Sequence, residues 1–292
     1  MRSRVVSVSW FPVASSILIS LLLAGSAGAQ SRRFEKHFIV EGKPVVTVQN
    51  ASGRIQVKSW DKQEVSIVGQ RGSGNVEVDT EQAGNRIEIV THVGGANSNP
   101  DALKIDYEIT VPLASELQVR TDSGNVTVEN VRGDMSFDTV AADLALQDVE
   151  GYLAVKSIGG SLVCTRCAGR LDANSISGNF QLLQPMMDNV RVQTSSGNIL
   201  FDGSFMNRGI YVLKNYSGTI EVRFSTKDSF DVNATSLYGN VINEAPVVPD
   251  KHSMRAPHSS TLAKSLFGTM NDGRAKVELS SFTGTIKIMK RE

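Results

Sequence analysis

The chain has 292 residues, with 30 basic and 30 acidic side chains, 40% hydrophobic residues, 6% aromatic residues and two cysteines. Balanced charge leaves no electrostatic footprint for nucleic acid and no simple attraction to an anionic membrane surface. The length suits one all-β domain, since folds of that class and size commonly form a single unit.

Residues 1–29 stand apart. Arg2 and Arg4 precede an apolar run around Ile17-Leu18-Ile19-Ser20-Leu21-Leu22-Leu23, and Ala27-Gly28-Ala29 supplies an A-x-A site before Gln30. This is the pattern of a Sec-type signal peptide. The run is shorter than the ~20 residues of a membrane span, and no Cys follows the site to carry a lipid. The sequence thus predicts an exported chain, periplasmic or extracellular, without a membrane span after cleavage. Loss of Arg2 and Arg4 leaves 28 basic against 30 acidic residues, a net charge of −2.

A single solenoid domain is expected over residues 30–292. Its first part, 30–120, reads as β with a loose rhythm. Strands are predicted at 45–48, 54–58, 64–68, 75–78, 86–90, 104–110 and 116–119, separated by turn signals such as Ser52-Gly53 and Ala83-Gly84-Asn85. This region starts and caps the solenoid, because open terminal coils would expose pairing edges.

From Ser123 a nine-residue cadence takes over: SGNVTVENV, RGDMSFDTV, AADLALQDV, EGYLAVKSI, GGSLVCTRC, AGRLDANSI, SGNFQLLQP. Gly recurs at 124, 133, 151, 160, 169 and 178, with Ala142 in the vacant place. Two residues later come Val126, Met135, Leu144, Leu153, Leu162, Leu171 and Phe180, and two later again Val128, Phe137, Leu146, Val155, Cys164, Ala173 and Leu182. A third apolar column closes each unit at Val131, Val140, Val149, Ile158, Cys167 and Ile176. Apolar residues at alternate positions fit a strand with one face buried, and Gly fits a corner needing positive φ. Each unit is therefore strand and corner, and two units make a coil of about eighteen residues, the size of a β-helix or β-roll coil. A three-strand coil of about twenty-seven residues fits the same unit.

The corner signature recurs more widely spaced at Ser196-Gly197-Asn198, Ser217-Gly218-Thr219 and Tyr238-Gly239-Asn240. Regular coils are thus expected over 121–244 and a loop excursion over 245–270, with Pro246, Pro249 and Pro257 and a short helix near 262–267. Terminal strands follow at 271–292, where Ser281-Phe282-Thr283-Gly284 restores the motif. The fold class is all-β: a parallel β-solenoid built from nine-residue half-coils.

Chemistry is less legible. Cys164-Thr165-Arg166-Cys167 is a lone C-x-x-C whose members occupy core columns. It reads as buried thiols or a local disulfide, with no second Cys pair to close a zinc site. A calcium β-roll repeats both Gly and Asp, whereas Asp134 and Asp143 stand alone in their columns beside Asn125, Tyr152, Ser161, Arg170 and Asn179. Polysaccharide-cleaving β-helices need paired carboxylates, or a calcium and a basic residue, on one exposed face. Asp134, Asp138, Asp143 and Asp148 are close in sequence, but Asp134 and Asp143 fall on opposite walls of an eighteen-residue coil. Scarce aromatics offer no obvious sugar-stacking platform. His37, His92, His252 and His258 are scattered, and Ser-Gly pairs are turn residues without a G-x-S-x-G elbow. No catalytic, cofactor-binding or metal residue is assigned.

Gly53-x-Ile55-x-Val57 leading to Trp60-Asp61, then Glu64-Val65-Ser66-Ile67, Tyr107-Glu108-Ile109-Thr110-Val111-Pro112 and iterated Ser-Gly-Asn corners resemble the bacterial putative-adhesin family. The resemblance runs from about Phe38 to the end. It implies an exported β-solenoid of unknown function and supplies no catalytic residues. The reading is a non-enzymatic scaffold for adhesin-like binding or cell-envelope organisation, with an envelope protein or glycan as partner. The alternatives are a carbohydrate-active β-helix enzyme and a scaffold that self-associates through its terminal strands.

Overall fold

The structure, a computed structural model, describes residues 33–72, 76–94, 104–250 and 262–291. The expected signal peptide lies outside them. The chain begins with β1 (Arg33–Ile39), β2 (Val45–Asn50), β3 (Arg54–Trp60), β4 (Glu64–Arg71), β5 (Val76–Ala83), β6 (Arg86–Val93) and β7 (Ile105–Pro112). The next two strands, β8 (Glu116–Glu129) and β9 (Met135–Gln147), are long enough to turn a corner. The first half of β8 pairs with β2 and its second half with β3, so one strand serves two walls.

Regular coils follow as β10 (Glu150–Ser157), β11 (Leu162–Thr165), β12 (Ala168–Ser175), β13 (Phe180–Leu183), β14 (Met186–Thr194), β15 (Ile199–Asp202), β16 (Ile210–Asn215) and β17 (Thr219–Phe224). Even-numbered members stack parallel in the first wall and odd-numbered members in the second. The coil thus has two strands. Val126, Leu144, Leu162 and Phe180 align rung upon rung in the second wall, eighteen residues apart, and Ile199 and Ile220 continue them at the longer spacing. Leu117, Met135, Leu153, Leu171, Val190 and Tyr211 form the matching column of the first wall. All of these are buried. Burying each such side chain contributes roughly 1.5–3 kcal/mol, and only stacking supplies the burial.

Every strand expected over 30–120 forms, and β1 adds one that the pattern did not single out. The capping role is visible in the strand directions. β4 runs antiparallel to β7, β1 antiparallel to β4, and β5 antiparallel to β6, so the parallel stack ends in reversed strands.

The other end departs from expectation. After β18 (Phe230–Ser236) and β19 (Asn240–Asn243) come β20 (Val248–Pro249), β21 (Leu262–Ala263) and β22 (Ser265–Met270), then β23 (Ala275–Ser281) and β24 (Thr285–Lys290). The expected helix near 262–267 is therefore strand, and residues 245–270 include three strands as well as loop. β21 and β22 pair antiparallel with β19 and β18 and cover that end of the stack. Most unexpectedly, β23 lies between β16 and β18, and β24 between β17 and β19. The last strands in sequence are interior rungs with both edges paired, so they offer no free edge for self-association.

The corners also extend the reading. Positive φ occurs at Gly124, Gly133, Gly151, Gly160, Gly169 and Gly218, but it is not the whole reason for Gly. Gly197 is not in the left-handed region, yet a Cβ there would sit 1.9 Å from the Gly178 carbonyl oxygen of the rung below. Close approach of stacked backbones is the common requirement, and Ala142 meets it with the smallest side chain. Beneath each of these corners runs a polar column: Thr121, Thr139, Ser157, Ser175, Thr194, Asn215, Ser281 and Ser236. Its later members bond the glycines directly. Gly178 N–H donates to Ser175 Oγ at 2.8 Å, and Thr194 Oγ1 donates to the Gly178 carbonyl at 3.2 Å.

The third column splits in two. Val131, Val149 and Cys167 are buried, but Val140, Ile158 and Ile176 are 43%, 52% and 57% exposed. Alternation explains the difference. Met135, Phe137 and Thr139 point inward, so Val140 points out. At the opposite corner Asn130, Asp148 and Arg166 adopt positive φ and shift the phase, which turns Val131, Val149 and Cys167 inward.

Candidate functional site

Cys164 and Cys167 form a disulfide with Cα atoms 5.9 Å apart. Cys164 stacks between Leu146 and Leu182, and both sulfur-bearing residues are fully buried. Of the two sequence alternatives the local disulfide is the one present. It pins the end of β11 to the following corner.

The four carboxylates do not converge. Asp134 Oδ1 accepts the Tyr152 N–H at 3.2 Å, and Asp143 Oδ1 accepts the Ser161 N–H at 2.8 Å. These two serve opposite corners, each bonding the rung above. Asp138 pairs with Arg120 at 3.5 Å, and Asp148 takes a two-pronged contact from Arg166 at 2.6 Å for each prong. The Arg166 guanidinium holds the Asp148 carboxyl below its ordinary value. Such exposed pairs are screened by solvent and contribute little to stability.

His37 of β1 bonds Glu64 of β4 through Nδ1 and Glu35 through Nε2, the latter at 3.0 Å. These bonds, that to Glu64 first, raise the imidazole pKa above 6.5. His92 sits 3.1 Å from Asp79, and His252 and His258 lie outside the described residues. Among the described residues no three His, Cys, Asp or Glu side chains gather as a metal-binding group. Burial pushes the Tyr107 and Tyr211 hydroxyls up to about 12. Each has a structural partner, Thr91 Oγ1 at 2.7 Å and the Met187 carbonyl at 2.6 Å.

What the fold does assemble is an apolar ridge. Each residue preceding the small residue of the Ser-Gly corner points outward, and the corners stack rung by rung. The rung order is set by backbone bonds. Gly159 N–H donates to the Val140 carbonyl at 2.7 Å, Ser177 to Ile158 at 2.9 Å, Ser196 to Ile176 at 2.9 Å, Ser217 to Ser195 at 2.9 Å, Thr283 to Tyr216 at 2.8 Å and Tyr238 to Phe282 at 2.8 Å. Val140, Ile158, Ile176, Ser195, Tyr216, Phe282 and Leu237 thus form one line along the solenoid axis, with Tyr238 beside its last member. Tyr216 and Phe282 stack with centroids 4.5 Å apart, and Tyr238 meets Phe282 edge-on at 5.0 Å. Tyr216 is 57% and Tyr238 68% exposed.

On the second-wall flank of this ridge lies a groove of 510 Å³ lined by Asn179, Asn198 and Thr219 and by the charged Glu221, Arg223 and Lys287. Asn179 Oδ1 accepts the Asn198 N–H at 2.9 Å, and Asn198 Oδ1 accepts the Thr219 N–H at 2.8 Å. The amides therefore form a regular ladder parallel to the ridge.

Sequence reasoning placed Val140, Ile158 and Ile176 in the core and missed the ridge. A usable signal was present. The residue before each is Thr139, Ser157 or Ser175, and a small hydroxyl residue three places before the small corner residue marks the inward position, where the opposite corner has Asn130, Asp148 and Arg166.

The family model for Toastrack DUF4097 matches residues 46–289, from within β2 to within β24. The chain belongs to the Toastrack DUF4097 family. No curated protein is similar to this Toastrack chain in sequence. Solved structures similar to it include a putative adhesin of Bacteroides fragilis, 11% identical, covering 89% of this chain and 98% of that one with a TM-score of 0.43. A putative cell adhesion protein of Clostridium sporogenes is 10% identical and covers 89% and 100% with a TM-score of 0.29. A putative adhesin of Parabacteroides merdae is 6% identical and covers 90% and 98%, again at 0.29.

Proposed function

We propose that this chain is an exported, non-enzymatic Toastrack scaffold that presents a repetitive surface for adhesin-like binding or cell-envelope organisation, with an envelope protein or glycan as partner. The observation that carries this reading is the ridge from Val140 to Leu237, which a closed coil leaves outside its core. Exposed apolar surface marks interaction sites; here it forms two runs, Val140–Ile158–Ile176 and Tyr216–Phe282, parted by Ser195, and stacked coils hold it rigid. Export is supported by the 1–29 leader pattern and by the Cys164–Cys167 disulfide, which persists in oxidising compartments.

The enzyme alternative draws no support from Asp134, Asp138, Asp143 and Asp148. They serve separate ladder and ion-pair roles and present no facing pair of the kind glycoside cleavage uses.

The test is binding of the purified chain to intact envelope preparations, compared with Ile176→Lys and Tyr216→Lys. Saturable binding lost in both variants, each with an unchanged melting curve, supports the reading. No binding by the parent chain overturns it.

A further inference from the structure

The ridge and its neighbouring groove carry a more specific assignment, which rests on the surface-binding reading above. The ridge is one side chain wide and seven rungs long, about 29 Å at ~4.8 Å per rung. A stable protein–protein interface buries about 800 Å² on each partner, which calls for a broad patch. A strip this narrow suits a thin, extended polymer instead.

An extended polypeptide docks by adding backbone hydrogen bonds to a free strand edge. The ridge has no such edge, because strands run across it and the amides from Gly159 to Tyr238 are committed to the rung below. Recognition there must go through side chains. The ridge offers aromatic and branched aliphatic surface without a charge, and its flank offers the amides of Asn179 and Asn198 and the hydroxyl of Thr219.

That combination matches a sugar chain. Apolar and aromatic surface covers the C–H faces of the rings, and fixed amides and hydroxyls exchange hydrogen bonds with ring hydroxyls. The ridge carries no charge, and in the groove Glu221 pairs with Arg223 at 2.6 Å, which leaves Lys287 as one cation, too little for a polymer charged at every residue, so a neutral chain is favoured over an anionic one. We infer that the ridge Tyr216–Phe282–Tyr238 and the Asn179–Asn198–Thr219 groove form one elongated subsite for an uncharged polysaccharide strand lying along the solenoid axis.

Affinity electrophoresis of the full chain through gels containing dextran, galactomannan or hydroxyethyl cellulose tests this, with alginate as the anionic arm. The expected result is retardation by at least one neutral polymer. Tyr216→Ala/Phe282→Ala should weaken it at least tenfold, and the milder Tyr238→Ala at least threefold, with a melting curve like that of the parent chain. The Tyr238 variant leaves the Tyr216–Phe282 stack in place and keeps the test decisive should the double variant lose its fold.

Retardation by alginate alone, no retardation by any neutral polymer, or retardation unchanged in the Tyr238 variant would overturn the assignment. Envelope binding that persists through any of these outcomes leaves the surface-binding reading standing. Its loss to protease treatment of the envelope would point to a protein partner and also overturn the glycan subsite.

Discussion

Ser236 Oγ donates to the carbonyl of Gly284 at 2.7 Å, although Gly284 comes 48 residues later in the chain. The same hydroxyl accepts the Gly239 N–H at 3.1 Å. One fully buried side chain thus joins its own corner to a rung that the chain reaches only at its end. Replacing Ser236 by Ala leaves the buried Gly284 carbonyl and the half-buried Gly239 N–H without this partner, and a buried unsatisfied group costs about 1–3 kcal/mol. Urea melts should show Ser236→Ala destabilised by at least about 1 kcal/mol. A loss within error would mean that the polar column only fills space.

Leu162 and Ile158 are four residues apart and face opposite ways. Leu162 is buried between Leu144 and Phe180, whereas Ile158 is 52% exposed on the ridge. Leu162→Asp places an unpaired charge in the core and is expected to abolish cooperative thermal unfolding. Ile158→Asp should shift stability by no more than about 0.5 kcal/mol. Equal damage from the two would contradict the split of the third column.

Gly197→Ala drives a Cβ against the Gly178 carbonyl oxygen, whereas Gly84→Ala meets nothing within 4 Å and bears only the strain of its left-handed φ. Overpacking costs roughly 1–3 kcal/mol, and more when backbone must move. The left-handed penalty alone is about 1–2 kcal/mol. Denaturant midpoints should therefore fall further for Gly197→Ala than for Gly84→Ala. The reverse order would restore positive φ as the main reason for corner glycines.

Linkage gives His37 a signed pH dependence. Its pKa is raised in the folded chain by Glu64 and then Glu35. The contribution of this clamp between β1 and β4 is fully present below pH 6.5 and is lost as pH rises through the folded value. Imidazole NMR titration should give a midpoint above 6.5 that Glu64→Gln lowers. The melting-temperature gap between parent and Glu64→Gln should narrow from pH 5.5 to pH 8.5. A midpoint at or below 6.5 would remove the clamp.

The disulfide closes a short loop, for which the chain-entropy relation gives about 2 kcal/mol. Cys164→Ala/Cys167→Ala should lose about that much in equilibrium melts, with the loss of buried sulfur adding to it. A stability unchanged by the double substitution would show that the bond contributes nothing to the folded state.

Much of the fold could be read from the sequence because its determinants are local. Alternation within SGNVTVENV and its relatives sets which face of each strand is apolar, and the nine-residue spacing brings Val126 beneath Leu144 and Leu162. The candidate surface was much less legible. Composition counts few aromatics, but Tyr216, Phe282 and Tyr238 come from three separate stretches and meet only through stacking.

The sequence by itself determined the unit, the inward columns and the small corner residue, since each follows from the two-residue pleat and from the room a backbone leaves for a side chain. Tertiary structure alone decided that β23 and β24 enter between earlier rungs, and so which residues border Phe282. It also decided which corner shows its apolar residues to solvent. Phase shifts at Asn130, Asp148 and Arg166 are backbone choices that become favourable only when the neighbouring coil is present to bond them.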